Sequence, residues 1–251
     1  MGLPVDMHFH EQIRRQGSLV DASLVLGESA TALGWDRVAF VGDIRQLGLP
    51  RDTSGDFLLS AIGWSQSGLE AWVRMKLGRH CPVAQHCYDE QDPFAWDCSN
   101  QGAQWQGRTL EPEQRQVLDH YGQQAVGGLT VPVHRRNGRV GYVSWLTRDR
   151  SRLRQRCAET LSATHLFSHA FMHQYDRHAL PESEPNSSLT PREIECLHWA
   201  ARGKTAEETS IIIQRSRETV QFHLRNAVIK LGASNRSHAV AIACSRGLVS
   251  V

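Results

Sequence analysis

The sequence predicts an α+β protein: an N-terminal domain whose mainly antiparallel sheet carries helices on its faces, then a small helical domain. Three observations predict it. Apolar residues in the first part of the chain fall either at helical spacing or in short β-rich runs. An Asn-Gly pair joins two of those runs. Helix-capping signals recur three times after residue 189.

Taken in order, residues 19–33 place Leu19, Ala22, Val25, Leu26, Ala30 and Leu33 on one helical stripe, and Gly34 ends it. Strands are expected at Val38–Val41, Phe57–Ile62, Gly128–Val133 and Gly141–Leu146, the last two forming a hairpin across Asn137-Gly138. Residues 151–177 read as a long helix. LPESEPNSS, residues 180–188, has the composition of a linker, so the domains are expected at 1–178 and 189–251 with residues 179–188 between them.

The composition excludes several classes. At 251 residues, 40% apolar and 22% charged, the chain is long enough for a core without disulfide or metal support. No apolar run approaches the roughly 18–20 residues of a membrane helix, and the N-terminus lacks a signal pattern. A cytoplasmic protein is expected, with its six Cys as free thiols. The net charge of +2 says little by itself, but Thr190–Gly247 holds nine basic residues against five acidic ones.

The C-terminal part reads as four short helices. Thr190-Pro191-Arg192-Glu193 and Thr205-Ala206-Glu207-Glu208 are capping boxes, and Gly203 is a helix stop. Arg192 and Glu193 are expected to cap rather than to touch a partner. Gln214-Arg215-Ser216 is a turn before a helix over 217–231, so the second and third helices form a helix-turn-helix unit. Val220, Leu224, Ala227 and Leu231 then point inward, which leaves Gln221, Phe222 and Arg225 outside. An exposed Phe suits a thymine methyl in a major groove, and Gln221 and Arg225 suit base edges. Lys204, Thr205, Arg215, Arg217, Thr219 and Lys230 complete the expected DNA-binding set, mostly as phosphate contacts.

These residues resemble the DNA-binding domain of the LuxR family of bacterial transcriptional regulators. Leu189-Thr190-Pro191-Arg192-Glu193, Gly203-Lys204-Thr205, Thr219-Val220-Gln221-Phe222-His223-Leu224 and Lys230-Leu231-Gly232 stand where that family has its motifs. Gln221 departs from a frequent Lys. The resemblance implies a homodimer on promoter DNA with two-fold-related half-sites. In the quorum-sensing branch it also implies an N-terminal α-β-α sandwich for an acyl-homoserine lactone. The family's Asp-Pro, whose Asp accepts the signal's amide N–H, is matched to Asp92-Pro93, with Tyr88 as a neighbour. Its Trp-x-x-x-Tyr is matched to Trp72, with Lys76 in the Tyr position. Trp105, with Trp96 as rival, stands for the Trp after Asp-Pro. Gly128 and Ser144 are matched to a conserved strand start and a pocket hydroxyl. On this alignment Gly78–Gln85 is an insertion. No cofactor is expected beyond that ligand.

Two other readings stay open: a regulator whose altered pocket takes a different ligand or none, and a metal or redox sensor built on His80, Cys81, His86 and Cys87. Asp89, Glu90 and Asp92 lack any accompanying nucleophile or phosphate-loop motif, so an enzyme is not expected. The long helix near 151–177, with Phe167, Phe171 and Met172 read as exposed, is the expected dimer surface.

Overall fold

The computed structural model describes residues 5–46, 48–98, 104–135, 138–179 and 189–249. Two compact units divide the chain, one of Met1–His134 and Arg139–Leu180, the other running from Pro181 to Val251. Residues 180–188 of the expected linker and Asn137 of the expected hairpin turn lie outside the described residues, while residue 179 ends the last helix of the first unit. Gly138, beside that turn, has φ 62°.

The first unit is built on a four-stranded sheet. Its strands are β1 (Arg37–Val41), β2 (Phe94–Asp97), β5 (Gly127–His134) and β6 (Val140–Thr147), in the order β1-β6-β5-β2 and antiparallel throughout. A separate small ribbon pairs β3 (Gln104–Trp105) with β4 (Arg108–Thr109). Helices α1 (Val5–Arg15), α2 (Leu19–Ala32) and α7 (Leu153–Ala179) pack together, with α7 on β5 and β6 and α2 on β1. The other helices are α3 (Leu58–Ala61), α4 (Gln66–Arg74), α5 (Pro82–Asp89) and α6 (Pro112–Gly122), with a 3₁₀ turn at Leu77–His80. Of these, α5 packs on β6. The expected α-β-α sandwich is therefore present.

Side-chain alternation assigns the two faces. Trp145 on β6 points to α7, where its indole N–H donates to Ser168 Oγ at 3.1 Å and its ring meets Phe167. Phe40 on β1 meets Phe171 of α7, with ring centroids 4.5 Å apart. Phe167, Phe171 and Met172 are thus buried against the sheet, not exposed as the sequence suggested. An amphipathic helix must bury its large apolar stripe where a sheet offers a face. The exposed residues of the middle turns of α7 are Leu161, Ser162, His165, His169 and His173.

The expected strand at Phe57–Ile62 is a second correction. Only Phe57 is extended, bridged to Arg51, and Leu58–Ala61 is a helical turn. A continuous apolar run does not distinguish strand from buried helix, and Leu, Leu, Ser and Ala contain no β-branched residue to favour the strand. Ser60 Oγ also donates to the Phe57 carbonyl at 2.6 Å, which suits a turn. The edge strand β2 was not anticipated.

The second unit follows the sequence reading closely: α8 (Pro191–Ala201), α9 (Ala206–Ile212), α10 (Arg217–Lys230) and α11 (Arg236–Ser245). Both capping boxes form, and Ser216 caps α10. Gly203, Gly232 and Gly247 take φ of 77°, 63° and 67°, ending α8, α10 and α11 in the left-handed conformation that glycine adopts without strain. Val220, Leu224, Ala227 and Leu231 are buried beside Cys196 and Leu197 of α8.

Candidate functional sites

The sheet face opposite α7 carries the first site. Successive rows there are Val41–Tyr142–Pro132, then Ala39–Ser144–Thr130–Phe94, then Arg37–Leu146–Gly128–Trp96. Ala39, Val41 and Tyr142 line a cleft closed on its other side by Trp64, Trp72 and Tyr121. The cleft is narrow, about 40 Å³, and its walls carry no ionised side chain: the polar groups are the two tyrosines, the indoles, His120 and Gln124. Burial pushes the Tyr121 and Tyr142 phenols well above their ordinary values and holds the His120 ring below its own. The site is therefore neutral at physiological pH.

Trp72 lines the cleft, and Ser144 lies buried on the same sheet face. Trp72 stands edge-on to Tyr121, with ring centroids 5.2 Å apart. Ser144 is fully buried, 2.7 Å from Thr130 Oγ1, which in turn accepts from Trp96 Nε1 at 2.8 Å. Trp96, the rival, is thus the indole on this face. Gly128 is buried beside it, and a β-carbon there would stand 2.5 Å from the Trp145 carbonyl. Trp105 is also buried, but it packs on His86 and Phe94, and its indole N–H has no acceptor among the described residues.

Tyr88 and Asp92 are corrections. Tyr88 is 49% exposed and Asp92 lies on the surface, its backbone N–H bonded to Glu90 Oε1. Asp89 is also exposed, paired with Arg108 at 2.7 Å. The X-Pro pair that enters the core is Cys81-Pro82, which opens α5. Its thiol is fully buried, 4.0 Å from the Tyr121 hydroxyl. Gly78–Gln85 forms most of the 3₁₀ turn and the first turn of α5. The two X-Pro pairs differ in what each opens: Pro82 takes the first helical position of α5, where the chain turns into a core helix and buries Val83, Ala84 and Cys87, whereas Pro93 stands just before the edge strand β2.

The remote sensor reading loses its geometry. His80 is exposed while Cys81 and Cys87 are fully buried. Among the described residues no three His, Cys, Asp or Glu side chains are grouped to hold a metal. Burial raises the Cys81 and Cys87 thiols and pushes Cys98 up to about 12. Thiols so raised are poor nucleophiles for a redox switch.

The second site is the outer face of α10. Phe222 is 57% exposed, Arg225 is exposed and Gln221 is half-buried beside them. Arg215 and Arg217 are exposed at the helix start, Arg217 3.6 Å from Glu207. Lys204 pairs with Glu208 at 3.2 Å, and the Thr205 and Thr219 hydroxyls are engaged with the caps of α9 and α10. Lys230 differs from expectation. Its ammonium lies 2.8 Å from the buried Glu193 carboxylate and ties α10 to α8, so it is a structural strut.

Residues 21–175 match the family model of the autoinducer binding domain, and residues 187–243 match that of bacterial regulatory proteins, luxR family. The HTH-type quorum sensing-dependent transcriptional regulator RpaR of Rhodopseudomonas palustris is 31% identical over 80% of each chain. The transcriptional activator protein BjaR1 of Bradyrhizobium diazoefficiens is 31% identical over 77% of this chain and 76% of its own. Among solved structures, SdiA in complex with octanoyl-rac-glycerol superposes over 100% of both chains with a TM-score of 0.68 at 17% identity. The N-acylhomoserine lactone dependent factor CepR2 of Burkholderia cenocepacia covers 70% of this chain and 96% of its own, with a TM-score of 0.51 at 13% identity. At such identities these structures speak for the fold.

Proposed function

The chain belongs to the LuxR family of bacterial regulatory proteins that carry an autoinducer-binding domain, and from that premise we propose how its two sites work as a quorum-sensing transcriptional regulator. The N-terminal unit takes up a neutral acyl signal in the cleft between β1, β6 and the α4–α6 side. The C-terminal unit reads double-stranded DNA through α10, as a homodimer on two half-sites related by a two-fold axis. Acting on promoters, it works in the cytoplasm.

One observation carries the DNA reading: Gln221, Phe222 and Arg225 share an outer face that the helical core leaves open. Phe222 supplies an apolar contact and the other two supply base-edge hydrogen bonds. Arg215 and Arg217 suit phosphates. The second copy docks on the outer face of α7, whose exposed residues between Thr160 and Tyr175 are Leu161, Ser162, His165, His169 and His173, with no Asp, Glu, Lys or Arg among them.

The signal reading rests on the neutral, aromatic cleft. SdiA holds octanoylglycerol in its solved complex and CepR2 is described as acyl-homoserine lactone dependent, and we carry over their shared chemistry, an uncharged acyl chain with a carbonyl. A signal of that size needs roughly 300 Å³ or more, so the cleft must open as the ligand completes the core. The test measures thermal stability and promoter retention of the full chain with and without N-octanoyl-homoserine lactone. At a hundred times its Kd the ligand should add about 2.7 kcal/mol to the stability. Equal promoter affinity with and without lipid, and no thermal shift, would leave the signal-independent reading.

A further inference from the structure

We infer that this ligand site recognises its signal through a carbonyl oxygen and does not read whether an amide N–H or an ester oxygen stands beside it. The inference rests on the proposed signal site and concerns its selectivity.

Hydrogen-bond supply on the inner sheet face supports it. Trp96 Nε1 donates to Thr130 Oγ1, and Thr130 Oγ1 and Ser144 Oγ share one bond of 2.7 Å. Only one of the two hydroxyl protons can lie between those oxygens. The other has no acceptor among the described residues, and both side chains are fully buried. Ser144 is in register with Ala39 and two residues from Tyr142, and both of those line the cleft. The sheet therefore holds an unspent donor on the face that carries the cleft, buried beside its lining residues Ala39 and Tyr142. A buried donor without a partner is unfavourable, and a carbonyl oxygen arriving there relieves it.

The second polar group has the same bias. The Cys81 thiol lies against the Tyr121 hydroxyl, with Tyr142 beside them. These three groups bring three protons. Sulfur is a weak acceptor, so this cluster offers a ligand donors more readily than acceptors.

What the site lacks is an ionised acceptor. Asp92 is at the surface, Asp89 is paired with Arg108, and Glu90 Oε1 accepts from two backbone N–H groups outside the core. A ligand N–H meets only neutral oxygens and a thiol, none of which rewards it as a carboxylate would. Cys81 is the residue that decides this, because it is the core-facing member of the X-Pro pair that opens α5.

A matched pair of probes tests the inference. N-octanoyl-homoserine lactone and α-octanoyloxy-γ-butyrolactone differ only in NH against O. Titrated calorimetrically into the full chain, they should have Kd values within about threefold of each other, whereas a charge-assisted bond to the amide would separate them by about thirtyfold or more. A preference of that size for the amide overturns the inference and leaves the signal site standing. Binding of neither probe overturns both. Ser144→Ala removes the unspent donor without emptying the core, so the fold should persist while both probes weaken by about tenfold. Unchanged binding of both to this variant also refutes the assignment. Cys81→Asp, where it folds, should make the amide the tighter ligand by about tenfold.

Discussion

Lys230→Met separates a structural strut from a phosphate contact. The Glu193 carboxylate is 3% exposed and accepts two bonds, from Thr190 N at 2.7 Å and from Lys230 Nζ at 2.8 Å. Methionine keeps the apolar stem and removes the cation. Breaking a fully buried pair costs about 3–5 kcal/mol, and an exposed pair is worth about 0–1 kcal/mol. Lys230 is 34% exposed and the capping bond remains, so the loss falls between, at about 2 kcal/mol. In a helical unit this small that corresponds to about 8–16 °C in Tm. Amide hydrogen exchange, read by mass spectrometry on α8 and α10 of the full chain, reports the opening free energy of this unit directly. The reasoning fails if exchange is unchanged while DNA affinity drops, since Lys230 would then act on phosphate. The same pair sets an acid limit. Burial alone would raise the Glu193 carboxyl, but the bonds from Lys230 and Thr190 outweigh it and hold the group below its ordinary value. A depressed carboxyl contributes stability above its unfolded pKa, about 4.3, and loses it as pH falls through the folded value. Protection of α8 and α10 should therefore decline below about pH 4.

Three further outcomes are expected. Arg225→Ala should weaken specific promoter binding by about 1–3 kcal/mol, whereas Phe222→Ala should relax base preference at one position and move stability by less than about 0.5 kcal/mol; gel retardation on a randomised site and thermal melting check the two. Lys204→Ala should weaken binding to all sequences alike and flatten its salt dependence, measured by titration at several salt concentrations. Gly128→Ala should destabilise the N-terminal unit by about 1–3 kcal/mol, because its β-carbon would meet the backbone carbonyl of Trp145, which cannot step aside; denaturant unfolding that matches the parent chain would contradict that packing.

Local signals were the legible ones. The caps at Thr190, Thr205 and Ser216, the glycine stops and the inward stripe of α10 are set by neighbours within a turn or two of chain, so the helical unit could be read residue by residue. The same holds for β1, β5 and β6, whose β-branched and aromatic runs suit a pleated surface. Tertiary structure decided matters that depend on distant partners. Which X-Pro pair enters the core is decided by packing, with Cys81 inside and Asp92 outside. Whether Lys230 is free depends on Glu193, 37 residues away. Trp96 rather than Trp105 reaches Thr130, 34 positions further along the chain, because β2 pairs with β5. Phe167, Phe171 and Met172 turn inward because the sheet lies there to receive them. Spacing along the chain encodes which side chains share a face, but only the long-range packing chooses which face meets the core, and polar groups take their roles from what that choice buries beside them.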